Sequence, residues 1–169
     1  AQPPLVTVYI NQQPVQVPKG LNMIQAAQRI GHTIPHYCYH PKLSVAGNCR
    51  MCLVEVGLPE KDRQTNQWIR DEQGQLKINW APRPSIACSL EAADGLHIRT
   101  NSPLVQDCQK GVMEFLLINH PLECPICDQG GECQLQDMSV GNGPMKSRYT
   151  EEKHVVFHKS VGPLISMEE

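Results

Sequence analysis

The sequence has almost no net charge, no long apolar run and no glycine-rich dinucleotide motif, and each absence removes a class of function. Fifteen basic residues against seventeen acidic ones leave a net charge of −2 at pH 7. No basic footprint therefore argues for nucleic acid or an anionic membrane surface. No apolar stretch approaches the ~20 residues that span a bilayer, so direct membrane insertion is not expected. The opening, AQPPLVTVYI, lacks the charged and apolar regions of a secretory signal. No G-x-G-x-x-G motif occurs, so no dinucleotide site of the chain's own is expected. A disulfide framework is disfavoured as well. The eight cysteines cluster in Cys-x2-Cys pairs, and without a signal a reducing compartment is the better expectation. With 169 residues, 40% of them hydrophobic, the chain can bury one core, or one modest core and a satellite.

What is present concentrates between Asn119 and Asp137, NHPLECPICDQGGECQLQD, which holds His120-x3-Cys124-x2-Cys127-x5-Cys133. Cys-x2-Cys lets two sulfurs reach one metal centre without long-range closure. Gly130 and Gly131 permit a tight turn or a close approach to an inorganic group, where a Cβ would clash. Pro121 and Pro125 restrict His120 and Cys124 largely to extended backbone, so both ligand positions are partly preset. Zinc and an iron–sulfur cluster both take thiolates and imidazole, and this loop alone leaves the two open.

In chain order, Leu5–Ile10 and Val15–Val17 read as a hairpin whose turn chemistry is Asn11 plus Pro14. Asn22 caps a helix, with Gln25 as its capping-box partner. Met23, Ile24, Ala27 and Ile30 repeat at helical spacing before Gly31 stops it. Strand, strand, helix opens a β-grasp domain, although metal-free folds of the ubiquitin kind open the same way.

The second constellation is IPHYCYHPKLSVAGNCRMCLVEV. Cys38-x10-Cys49-x2-Cys52 is followed after 35 residues by Cys88. Three ligands from one loop and a fourth from a distant segment is the plan of a ferredoxin-type 2Fe-2S site, with a longer first spacing than the plant-type x4. A zinc site prefers two compact knuckles, whereas Cys38 and Cys88 each stand alone. Gly47 relaxes the backbone before Cys49, and LVEV reads as the strand leaving the site. His36 and His40 flank Cys38 and read as surface imidazoles.

Residues 58–82 turn abruptly charged and amide-rich. They read as an inserted, solvated flap with a small hairpin around Glu72-Gln73-Gly74-Gln75, pinned by Trp68 and Trp80. Leu96–Thr100 completes the sheet. Ser102-Pro103 starts a helix with Leu104, Cys108, Val112, Phe115, Leu116 and Asn119 along one side. Cys108 reads as a buried small hydrophobe rather than a ligand. Gly111 suggests close packing against another backbone. After Cys133 an amphipathic turn leads to a linker at Gly141–Pro144. The tail carries one strand-like piece, His154–His158, with both histidines unliganded.

CYHPKLSVAGNCRMCLVEVGLP, GVMEFLLINHPLECPICDQGGECQLQD and the spacing between them resemble the N-terminal region of the large iron–sulfur subunit of respiratory complex I. This family comprises the G subunit of NADH:quinone oxidoreductase and the similar 75 kDa mitochondrial subunit. The likeness covers most of residues 5–141. It implies an α+β chain: a β-grasp, ferredoxin-like 2Fe-2S domain over residues 1–101 with the 58–82 insertion, then a small helical 4Fe-4S domain over 102–141. Residues 142–169 would be a linker and tail leading to further domains. Carried over by position, Cys38, Cys49, Cys52 and Cys88 would bind the 2Fe-2S cluster, and His120, Cys124, Cys127 and Cys133 the 4Fe-4S cluster. FMN and NADH would belong to a partner subunit and quinone reduction to others, on the cytoplasmic side of a bacterial inner membrane. The long 58–82 insertion fits a bacterial subunit better than the shorter mitochondrial loop. Two rival readings stand beside this one: the electron-transfer subunit of an NAD-linked hydrogenase or formate dehydrogenase, and a zinc-stabilised interaction module.

Overall fold

The computed structural model describes residues 3–62, 64–65, 67–154, 160 and 162–165. The chain is mixed α+β and divides into two compact units, Ala1–Gln109 and Lys110–Glu169.

In the first unit, β1 (Leu5–Ile10) and β2 (Gln13–Pro18) form a hairpin in which Ile10 pairs with Gln13. Its turn is only Asn11-Gln12, both left-handed with φ of 49° and 72°. That is the primed geometry whose twist matches flanking strands. Asn11 suits it for a second reason: its side chain accepts from Thr100 N at 2.9 Å and donates to Thr100 Oγ1 at 2.8 Å. Pro14, expected in the turn, lies inside β2 opposite Tyr9, and Pro18 lies opposite Leu5. Both occupy alternate positions of an edge strand, where a missing N–H breaks no ladder bond.

Helix α1 (Met23–Gln28) carries the expected capping box, Gln25 N to Asn22 Oδ1 at 3.0 Å and Asn22 N to Gln25 Oε1 at 3.2 Å. Gly31, at φ +73°, lets His32 N reach back to Ala27 O at 3.0 Å, a left-handed helix end. Strands β3 (Leu53–Pro59), β4 (Ile78–Trp80), β5 (Ser85–Ile86) and β6 (Leu96–Arg99) complete a six-stranded sheet ordered β2-β1-β6-β3-β4, with β5 paired to β3. LHIRT thus fills the centre of the sheet: β6 runs parallel to β1 and antiparallel to β3. Val8, Ile10, Val17, Met23, Ile24, Val54 and Ile98 bury one continuous core, each side chain contributing about 1.5–3 kcal/mol. Cys52 and Cys88 belong to that same cluster.

The 58–82 excursion is mostly exposed, as expected, and is pinned at both tryptophans. Gly57 pairs with Trp80, and bridges join Lys61 to Trp68 and Arg70 to Leu76. Asp71 closes the expected turn by accepting from Gln73 N and Gln75 N. Trp80 lies across Gly57, where an added Cβ would meet its ring at 3.0 Å, and Arg99 stacks over the same ring at 3.9 Å. Lys61 stands over Trp68 at 4.3 Å.

Helix α2 (Pro103–Leu117) begins as expected, with Val105 N bonded to Ser102 Oγ at 3.3 Å. Its buried line is Val105, Gln109 and Met113, one position on from the expected stripe, leaving Leu104 44% and Phe115 78% exposed. A glutamine in the buried line hides the hydrophobic period. Cys108 is half-buried, not buried. The second unit continues through the cysteine loop into α3 (Gln134–Asn142), a nine-residue helix without buried residues that runs past the expected linker start. Most of the strand-like piece at 154–158 lies outside the described residues.

Gly111 faces open space: an added Cβ meets nothing within 4 Å. Close packing is therefore not its reason. Gly111→Ala should stabilise the chain by about 0.5–1 kcal/mol through helix propensity, read as a higher urea midpoint at unchanged m-value. A lowered midpoint would show that the glycine serves a contact.

Candidate iron–sulfur sites

The first site is built by two segments that the core brings together. Cys52 stands immediately before β3, and Cys88 follows β5. The register Leu53↔Ile86, with Ala87 N donating to Cys52 O at 2.9 Å, holds the two cysteines side by side. Both are only 2% exposed. Cys38 and Cys49 are joined reciprocally: Cys38 N donates to Cys49 Sγ at 3.5 Å and Cys49 N to Cys38 Sγ at 3.4 Å. Met51 N also donates to Cys49 Sγ at 3.5 Å. Two left-handed residues shape this loop, Gly47 at φ +60° and Arg50 at φ +62°. Gly47 is hemmed in as well, since a Cβ would meet Ile86 Cδ1 at 3.0 Å. Arg50 carries no sequence signal for such a backbone and was not anticipated. The neighbouring imidazoles are engaged elsewhere: His36 Nδ1 lies 2.7 Å from Ile34 O, and His40 Nδ1 accepts from Lys42 N at 3.2 Å.

Cys38 and Cys52 differ electrostatically. The Cys49 N–H holds the Cys38 thiol below its ordinary range, helped by Asn48 and opposed by burial. Burial pushes the Cys52 thiol up to about 12, and the neighbouring Cys88 and Cys49 sulfurs add to the rise. Thiolates are the ligand form, so occupation of this site by metal must expel the Cys52 proton. Among the described residues, no three His, Cys, Asp or Glu side chains converge as one metal ion requires. The first four cysteines instead meet as two pairs, 38 with 49 and 52 with 88. That donor set suits a group with two metal atoms better than a single tetrahedral ion.

The second set lies on one loop of the second unit. His120 follows α2 directly, its N–H donating to Leu117 O at 3.2 Å. Glu123 O accepts from both Ile126 N and Cys127 N, at 3.0 and 2.9 Å, turning the chain between Cys124 and Cys127. Gly130 is pressed against that turn: an added Cβ would meet Cys124 O at 2.5 Å and Cys127 O at 3.1 Å. Gly131, at φ +93°, then redirects the chain, with its N–H held by Gln136 Oε1 at 3.0 Å. Cys133 caps α3. The glycine pair therefore serves the tight turn the sequence suggested. His120, Cys124, Cys127 and Cys133 share this turn, but no three of them converge around one point.

Comparison with known proteins supplies the class, that of the iron–sulfur proteins. A model of the 2Fe-2S iron–sulfur cluster binding domain matches residues 4–103. The NADH-ubiquinone oxidoreductase-G iron–sulfur binding region matches residues 109–148. The mitochondrial NADH dehydrogenase [ubiquinone] iron-sulfur protein 1 of Solanum tuberosum is 45% identical over 161 residues, which is 95% of this chain and 19% of that one. The NADH-ubiquinone oxidoreductase 75 kDa subunit of Reclinomonas americana is 44% identical over 95% of this chain and 20% of its own. The G subunit of NADH-quinone oxidoreductase from Rickettsia bellii is 42% identical with the same coverage. A solved NAD+-reducing [NiFe]-hydrogenase in its H2-reduced state shares the fold at TM-score 0.63 and 23% identity, over 88% of this chain and 55% of that one. The chain belongs to the family of 2Fe-2S iron–sulfur cluster binding domains, and it is homologous to the N-terminal iron–sulfur region of the G or 75 kDa subunit of NADH:quinone oxidoreductase. It carries one 2Fe-2S and one 4Fe-4S cluster-binding region. The chain spans about a fifth of the length of the curated relatives it matches. Among the described residues, no helix is long and apolar enough to cross a membrane.

The unequal thiols predict an order of modification. In the metal-free chain at neutral pH, iodoacetamide should label Cys38 well before Cys52, as read by peptide mass spectrometry. Equal rates at the two positions would contradict both the N–H donation to Cys38 and the burial of Cys52.

Proposed function

We propose that this chain is an electron-relay segment of NADH:quinone oxidoreductase, passing single electrons from a flavin subunit toward quinone. The observation that carries this is two pairs of cysteines, Cys38 with Cys49 in one loop and Cys52 with Cys88 brought together from distant segments at the edge of one core. The sheet around them, a hairpin and helix followed by a central parallel strand, is read as a β-grasp domain. The domain limits are 1–101 for this part, 102–141 for the second site and 142–169 for the tail. Cys38, Cys49, Cys52 and Cys88 hold the 2Fe-2S group, and His120, Cys124, Cys127 and Cys133 the 4Fe-4S group.

When bound, these groups supply one-electron acceptors whose potentials depend on ligand charge, hydrogen bonding and burial. The chain's own residues set those terms. N–H groups of Cys38, Cys49 and Met51 point at sulfur and stabilise negative charge there. Cys52 and Cys88 sit in the core's dry edge and keep water from their side of the site. A neutral imidazole at His120 leaves the second group one unit less negative than four thiolates would. FMN and NADH belong to a partner subunit, and the chain sits in the peripheral arm of a membrane complex, on the cytoplasmic side in a bacterium. Identity of 42–45% to the NADH dehydrogenase subunits favours this reading over a hydrogenase or formate dehydrogenase relay. The match of both cysteine segments to iron–sulfur binding families disfavours the zinc module.

Iron and sulfide reconstitution under anaerobic conditions is the test. The reduced wild-type chain should give two EPR signals, and Cys52→Ser should remove only the 2Fe-2S signal, since the two ligand sets lie on separate segments. Loss of both signals in a folded variant, or a colourless zinc-bound wild type, contradicts the reading. The pure chain should not oxidise NADH.

A further inference from the structure

Residues 148–154 are tied back to the end of α2 and the start of the cysteine loop at three points. Arg148 Nη2 meets Glu114 Oε2 at 2.7 Å, and His154 N donates to Asn119 Oδ1 at 3.2 Å. Between them the half-buried Lys153 sends its ammonium to two carbonyls, Leu117 O at 3.0 Å and His120 O at 2.5 Å. Leu117 is the last residue of α2, where unpaired carbonyls and the helix dipole place a partial negative charge. His120 is the first residue of the candidate ligand set. From 111 to 145 the chain carries five carboxylates, at Glu114, Glu123, Asp128, Glu132 and Asp137, and no lysine or arginine. Arg148 is already paired with Glu114. Lys153 lies beyond the matched region of 109–148, and it brings a cation into direct contact with a ligand residue's backbone.

We propose that Lys153 is a positioning residue for the second cluster site: it clamps the His120 backbone and offsets the negative helix end there, making the bound group easier to reduce. This rests on the assignment of His120 as a ligand. Two physical effects act together. Pro121 already confines His120 to extended backbone, and the Lys153 bond fixes its carbonyl, so the imidazole leaves α2 in one direction. Reduction adds a negative charge to a group held by three thiolates and an imidazole. A half-buried ammonium, screened less than a surface one, favours that reduced state. Without Lys153 the Leu117 carbonyl and the loop's carboxylates oppose it.

The test uses the full chain with Lys153→Met, Lys153→Glu and Lys153→Arg, each titrated by EPR so that both clusters are read in one sample. The second cluster's midpoint potential should fall in Lys153→Met, fall further in Lys153→Glu, and return most of the way in Lys153→Arg. The 2Fe-2S potential should stay fixed in all three. Hydrogen exchange on the metal-free chain provides an independent reading: protection at Asn119–Cys124 should drop about fivefold or more in Lys153→Met, as loss of one charge-assisted bond implies. A retained cluster with unmoved potentials in Lys153→Met and Lys153→Glu overturns the charge role. If Lys153→Met cannot keep the cluster, unchanged exchange in the metal-free chain overturns the clamp and altered exchange supports it. A wild-type chain that binds no second cluster refutes the functional reading itself, and the exchange experiment still judges the clamp.

Discussion

The pairing of β5 with β3 is the constraint on which the first site depends. Two residues, Ser85 and Ile86, lie against Val54 and Leu53, and this short ladder carries Cys88 to Cys52 across 35 residues of chain. Cys52 is fixed from the other side by Val54 and Val56, whose side chains enter the core of a strand that pairs with central β6. The ladder that closes the hydrophobic core therefore also brings together half of the proposed ligand set. Folding and ligand placement are coupled here: disrupting the β3–β5 register would open the core and separate two thiols at once. The other half is cheaper to build, because Cys38 and Cys49 belong to one loop and are held by each other's N–H groups.

The two sites differ in what holds them. At the first, burial at the core's edge holds the Cys52 thiol against ionisation, whereas loop N–H groups promote that of Cys38. The second has little core beneath it; most of its loop is exposed, and α3 buries no residue. Its order comes from backbone geometry, with Gly130 pressed on the Cys124 and Cys127 carbonyls, and from the tethers of Arg148, Lys153 and His154.

Local chemistry was legible in the sequence wherever one short segment decides the outcome. The Asn22–Gln25 capping box, the Ser102 cap, the turn near Gly74 and the strand leaving Cys52 all formed where their residues said. Long-range choices were harder to see. Nothing in LHIRT distinguishes an edge strand from the central one, because a strand's neighbours are set by tertiary contacts. Gln109 in the buried line of α2 displaced the apparent apolar face by one residue. Pro14 looked like a turn residue, although an edge strand with its N–H side free accepts it equally well. Lys153 was invisible as a partner of His120, since 33 residues separate them and no motif joins them.

The central claim is that the chain holds two clusters with separate ligand sets, and that only one of them includes an imidazole. Pulsed EPR on the reconstituted, reduced chain, grown with 15N-labelled histidine, tests it most directly. The account predicts strong, isotope-sensitive nitrogen coupling in the 4Fe-4S signal alone, lost in His120→Cys while the cluster remains. Strong histidine coupling in the 2Fe-2S signal, or its absence from both signals, would contradict the account.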